Sequence, residues 1–252
     1  MPFTPSHAAA VLPFLRTPLP ASALVAGSMA PDLPFYLPVE WPWPTHTATA
    51  VVSTDVLLAL AAWALWHGLL AEPALRAAPA ALRGRLTGVP VGLRVRVSTA
   101  SRVAWTVLAA AVGAATHVLW DEFTHAGRWG PGTFPVLADQ WGVMPGYRWL
   151  QYVASVLGGL VLVGWVVRWW LRAPVRPSGR PGRRWPWVLL AVTGCVTGTA
   201  AAASADGVGE AVYDAATWGG GSALVVASAL AAAWQLRHRG HRTGREPLPR
   251  RL

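Results

Sequence analysis

Apolar residues run almost unbroken through five stretches, about 48–70, 102–120, 150–171, 186–205 and 216–236, and polar segments separate them. A helix of about 20 apolar residues crosses the roughly 30 Å hydrocarbon layer of a bilayer. The pattern therefore predicts five membrane spans. Between them lie an Arg-bearing segment 71–101, a loop 121–149, a Pro/Gly/Arg linker 172–185 and an acidic turn 206–214. Residues 1–47 are just as apolar, but Pro stands at 2, 5, 13, 18, 20, 31, 34, 38, 42 and 44. Proline at that density rules out one spanning helix. Thr4-Pro5 reads as an N-cap and first helical position, opening a short helix that carries His7. A second short helix over 21–30 stops at Ala30-Pro31-Asp32. The fold class expected is all-α: a polytopic membrane helix bundle with a Pro-rich N-terminal region of short interfacial or re-entrant helices. It would form a single membrane domain over 1–236, with a basic tail over 237–252.

Composition agrees with the pattern. Of the 252 residues 54% are hydrophobic and 13% charged, with a mean hydropathy of +0.38; a soluble domain carries nearer a quarter charged residues. A net charge of +10 raises the question of nucleic acid, but its placement answers a different one. All 21 basic residues are Arg. Eighteen fall in segments that alternate to one side of five spans (76–102, 168–184 and 237–251), while Arg16, Arg128 and Arg148 fall on the other. The positive-inside rule puts the Arg-rich side in the cytoplasm of an inner-membrane protein, with the N-terminus outside and the C-terminus inside. Topology accounts for the charge, so no nucleic-acid partner is expected. The lone Cys195 cannot form an intrachain disulfide and reads as a packing residue.

That orientation gathers His7, Asp32, His46 and the end of span 2 at the outer face. His117-Val-Leu-Trp-Asp121-Glu-Phe-Thr-His125 sets three ligand-type side chains at steps of four, each about 40° round a helix, so all share one face. A His and an Asp one turn apart at a span end, with no Arg close by in sequence, are expensive to place in a membrane without a purpose. Together with Ser6-His7, Pro31-Asp32 and Thr45-His46 they offer imidazole and carboxylate donors, the set that holds zinc, manganese or iron. His125 is harder to fit, because eight helical residues put its Cα about 12 Å from that of His117. Either Asp121 bridges two ions, or the helix ends near Phe123 and His125 folds back. Asp55, inside span 1, reads as a proton relay or a buried polar contact, and Glu122 falls about 100° off the ligand face. Asp206, Glu210 and Asp214 read as a solvated turn. His67, His238 and His241 read as ordinary residues of the charged side, and glycines at 158–159, 194, 198 and 219–221 as sites of close helix packing.

The motifs Met1-Pro-Phe-Thr-Pro-Ser-His7, Gly27-Ser-Met-Ala-Pro-Asp32-Leu-Pro, Thr45-His46-Thr and His117 to His125 closely resemble a bacterial membrane family known as domain of unknown function 4184, over about residues 1–172. That family is similar to the membrane-bound metal-dependent hydrolases, themselves distantly like zinc-dependent phospholipase C. The resemblance implies that His7, Asp32, His46, His117, Asp121 and His125 are metal ligands, with zinc the first expectation and manganese or iron the alternatives. The activity expected is hydrolysis of a phosphoester or related bond in a lipid or envelope substrate, with Asp121 or Asp32 positioning or deprotonating the water. Two other classes stay open. One is a non-catalytic membrane scaffold with a structural metal. The other, a transporter, is disfavoured because Asp55 is almost alone among polar residues inside the spans.

Overall fold

The computed structural model describes residues 4–37, 39–177 and 182–239. Among the described residues the protein is mostly helical, and five helices are long and apolar enough to cross a membrane: Ala48–Ala77, Ala100–Thr124, Gly146–Arg172, Trp185–Ala202 and Val208–His238. It is a multi-pass membrane protein of helical architecture. Each span is found where the apolar runs place it, with shifted ends. Span 1 is segmented into Ala48–Val51, Thr54–Leu65, a π-helical turn Trp66–Leu70 and Ala71–Ala77. The expected acidic turn is shorter than 206–214, because Glu210 and Asp214 already lie on the last helix, where the Glu210 carboxylate accepts the Asp206 N–H (3.1 Å). Arg180 and the basic tail beyond Arg239, His241 included, lie outside the described residues.

The chain gathers into two compact units. The first takes Met1–Ala64 and Leu93–Pro174. Its N-terminal region consists of short helices, as the prolines require: Thr4–Arg16 and Ala30–Tyr36 in the tighter 3-10 form, with Ala21–Met29 as an α-helix between them. Thr4 is not the predicted cap. It lies inside its helix, and its hydroxyl donates to Asp32 Oδ2 at 2.6 Å.

The helix Ala21–Met29 lies against span 2 backbone to backbone. A Cβ built on Gly113 would overlap the Leu24 carbonyl and come within 2.8 Å of Ser28 N, and one on Gly27 would overlap the Ala110 carbonyl. Small residues let apolar helices approach this closely, and in lipid that packing supplies much of the association energy. Val11, Ala23, Leu24, Trp63 and Ala109 fill the interior beside the crossing, and the Trp63 indole N–H is satisfied by Ser22 Oγ (3.1 Å). Span 3 reaches the N-terminal helix at Gly158, where a Cβ would meet the Ser6 carbonyl at 2.9 Å. The loop after span 2 adds two short helices and a two-residue hairpin, Gln140–Trp141 with Met144–Pro145.

The second unit takes Leu65–Gly92 and Val175–Leu252. Spans 4 and 5 meet at the glycines singled out by the sequence, since a Cβ on Gly198 would fall 2.7 Å from the Ala215 carbonyl. In the π turn the Gly68 and Leu69 carbonyls both accept from the Gln235 amide, each at 3.0 Å. His67, expected as an ordinary polar-side residue, is buried in that turn. Cys195, expected to pack, is exposed instead, on an apolar span where lipid would cover it.

Candidate metal centre

Four separate pieces of the first unit deliver side chains to one buried point. The N-terminal 3-10 helix delivers His7, its successor Ala30–Tyr36 delivers Asp32, the end of the Trp/Pro loop delivers His46, and the last turns of span 2 deliver His117 and Asp121. All five are buried, His117 completely. Donor atoms of His7, His117 and Asp121 lie within 4.8 Å of one another, and so do donor atoms of Asp32, His46 and His117. The His7 ring stacks on that of His117, with centroids 3.8 Å apart.

The hydrogen bonds fix which atoms face inward. His117 Nδ1 lies 2.7 Å from the Ser28 carbonyl. A carbonyl only accepts, so Nδ1 carries the proton and donates it. In the neutral ring His117 Nε2 then presents a lone pair to two acids, 3.6 Å from Asp32 Oδ1 and 3.4 Å from Asp121 Oδ2. Neither His7 nitrogen, nor His117 Nε2, nor Asp121 Oδ1 has a hydrogen-bond partner. Buried polar atoms are seldom left so. Lone pairs and carboxylates converging on one point call for positive charge between them, and a divalent cation meets that need as well as the donor types do.

Asp32 is the best anchored of the group. Its Oδ2 accepts from Thr4, which in turn accepts from the Tyr36 hydroxyl (3.2 Å), and its Oδ1 faces His46 Nε2 at 3.0 Å. Burial would raise its pKa, but the hydrogen bond with His46, the neighbouring His117 and the Thr4 hydroxyl outweigh burial and hold the carboxyl at about 2. At His7 burial dominates, followed by the His117 charge, and its pKa falls to about 4. Its ring is a neutral donor at ordinary pH. The Tyr36 hydroxyl is pushed up by burial.

His46 stands outside the helix of span 1, which starts after the Thr47 cap, and its φ of 60° is left-handed. Side chains seldom adopt that conformation without support. Here Arg128 Nη1 supplies it, donating to the His46 carbonyl at 2.7 Å, while Thr45 Oγ1 meets the ring at Nδ1 (2.9 Å). Arg128 also pairs with Glu122 (3.3 Å), whose other oxygen accepts the Trp129 N–H. Glu122 is thus turned away from the cluster, as its helical angle predicts.

Span 2 ends at Thr124, and His125 is extended (φ −126°, ψ 146°). Of the two geometries open to it, the ring folds back: Nδ1 sits 3.4 Å from Asp121 Oδ1, and the Gln151 amide donates to Nε2 at 2.9 Å. Burial lowers its pKa. His125 stands at the rim of the cluster as a neighbour of Asp121. Asp55 is fully buried, and His46 and His117 both act on it electrostatically. A break before span 1 makes this possible, since one continuous helix would have turned His46 and Asp55 to opposite faces. Sequence reasoning did not assign Ser28, Thr4, Tyr36, Arg128 or Gln151 to the site. Only Arg128 carried a signal, as one of three Arg on the poor side of the charge pattern.

The model of one family, described as Domain of unknown function (DUF4184), matches residues 1–233. No curated protein and no solved structure matches the chain.

Proposed function

The chain belongs to the DUF4184 family, and on that premise we propose that it is a membrane-bound metal-dependent hydrolase acting on a phosphoester or related bond in a lipid or envelope substrate. The observation that carries this reading is the set of unpartnered lone pairs on His7, His117 and Asp121, buried beside Asp32 and His46. His7, Asp32, His46, His117 and Asp121 would hold the ion, the His7 ring stacked on that of His117. Zinc suits three imidazoles and two carboxylates best, and manganese or iron suit them next. A bound divalent cation supplies Lewis acidity, polarising the substrate oxygen and acidifying water.

The protein's own groups divide the remaining work. Asp121 Oδ1, with no hydrogen bond of its own, accepts the proton of the attacking water. Asp32 is held on both oxygens, so it keeps its charge and fixes His46. His125 and Gln151 flank Asp121 at the rim, and the aromatic loop 126–149 would admit an amphiphilic substrate. The charge pattern supports an inner-membrane protein with the centre at the outer face and the C-terminus in the cytoplasm. A periplasmic reporter active when fused after Arg237 would reverse that orientation.

The depth of burial favours a second reading. With His117 at 0% exposure and His7 at 1%, the ion would be structural, pinning the Pro-rich N-terminal region to span 2. The deciding experiment is metal analysis of detergent-purified wild type, His117→Ala and Asp121→Ala, with a panel of phosphoester and lipid substrates. Wild type without stoichiometric metal sinks both readings. Metal lost from the variants, together with wild-type turnover of a phosphoester, supports the hydrolase, and metal without turnover supports the structural ion.

A further inference from the structure

The second unit holds a cavity of about 610 Å³ that has nothing to do with the metal centre. It is of the size of small-ligand pockets, about 300–1,000 Å³. Its walls come from the end of span 1, the start of span 4 and the last turns of span 5. They are tied together by the Trp187 indole N–H donating to the Ala77 carbonyl (2.9 Å) and by Gln235 on the π turn. The interior is apolar, with Trp66, Leu70, Leu190 and Leu230. The other end carries Arg76, Arg183, Arg237 and His238.

Charge and length both identify the occupant. Among the described residues no acid lines the cavity. Arg76 is engaged, paired with Glu72 at 3.2 Å and stacked over Trp234, and His238 stacks on the same indole. Arg183 and Arg237 have no acidic partner among the described residues, so the mouth presents cationic donors to an anion. From Arg237 inward to Ala227, the deepest lining residue of span 5, the helix rises about 15 Å, half the roughly 30 Å hydrocarbon layer. The cavity therefore runs to the depth of one leaflet, with its cations at the headgroup end.

We propose that this cavity is a specific site for an anionic phospholipid, with the phosphate held by Arg183 and Arg237 and an acyl chain lying against Trp66, Leu190 and Leu230. The test uses the full-length protein reconstituted in an equimolar mixture of phosphatidylcholine and phosphatidylglycerol, then extracted and weighed by native mass spectrometry. Wild type retains phosphatidylglycerol in preference to phosphatidylcholine. Arg183→Gln with Arg237→Gln, a change at the mouth, weakens that retention by about thirtyfold, two cations' worth of attraction to anionic lipid. Leu230→Trp, which fills the apolar interior with every cation in place, removes the retained lipid as well. Thermal melting of each variant confirms that it is folded. Equal retention of the two lipids, or undiminished phosphatidylglycerol in the double variant, overturns the proposal. So does inorganic phosphate binding equally to wild type and Leu230→Trp while competing lipid away, because the apolar interior would then contribute nothing.

Discussion

Replacing Gly113 by Ala adds one methyl group, a full turn below His117 and touching none of the proposed ligands, yet it should weaken metal binding. The new Cβ would lie 2.8 Å from Ser28 N and 2.9 Å from Gly27 Cα, where carbon contacts are ordinarily about 3.5–4.0 Å. The overlap with the Leu24 carbonyl is tighter still, so the two helices must part by at least roughly 0.6–1 Å. The Ser28 carbonyl rides on the displaced helix, so its 2.7 Å contact with His117 Nδ1 stretches to about 3.3–3.7 Å, past the useful range for N–H···O bonds. Overpacking costs about 1–3 kcal/mol and the lost hydrogen bond about 1 kcal/mol, so the variant should lose roughly 2–4 kcal/mol of stability. Freeing a ligand imidazole from its orienting carbonyl typically lowers metal affinity about 10- to 100-fold. The assay is competition of zinc against a chromophoric chelator in detergent, with thermal melting of the same samples. Gly159→Ala is the control, because a Cβ there meets nothing within 4 Å. If the two variants behave alike in both measurements, the backbone crossing does not position His117 and the reasoning fails.

Three further outcomes can be checked on the same preparation. Asp55→Asn removes a buried carboxyl that acts on His46 and His117, so zinc affinity should drop about tenfold or more; unchanged affinity would dismiss Asp55 from the centre. His125→Ala should still bind one ion per chain, because Asp32, His46 and His117 group without it, and total loss of metal would make His125 a ligand. Chelated protein should lose stability as pH falls from about 6.5 to 4: His7 has a depressed pKa of about 4, so the unfolded chain takes a proton that the folded chain refuses, to the extent of about 3 kcal/mol. Asp32 acts in the same direction at lower pH, its folded pKa of about 2 contributing stability that is present above the ordinary carboxylate value and lost as pH falls from there to about 2; a flat melting temperature from pH 7 to 4.5 would contradict the burial of His7.

Much of this was legible because the relevant signals are local and periodic. Spans declare themselves by length and apolarity, and the prolines forbid a long helix before residue 48 whatever the tertiary context. His117 and Asp121 share a face by helical spacing alone. Long-range geometry was not legible. Nothing in Thr4-Pro5 distinguishes a helix cap from a hydroxyl aimed at Asp32, 28 positions away. Asp55 and His46 come together only because Thr47 caps span 1 and leaves His46 in a left-handed turn, which helical spacing along the sequence does not show. Likewise, only the observed helix end at Thr124 decides between the two geometries open to His125.

The centre also has a timetable. His7, Asp32 and His46 leave the ribosome first, with the Ser28 carbonyl, but the imidazole of His117 and the carboxylate of Asp121 that complete the cluster wait for span 2. His117 follows His46 by 71 positions, about 4–14 s of synthesis at roughly 5–20 residues per second. During that interval the Pro-rich segment has neither its packing partner at Gly113 nor its second set of ligands. A nascent chain arrested before residue 113 should leave the segment open to protease, and one arrested after span 2 has cleared the ribosome should protect it.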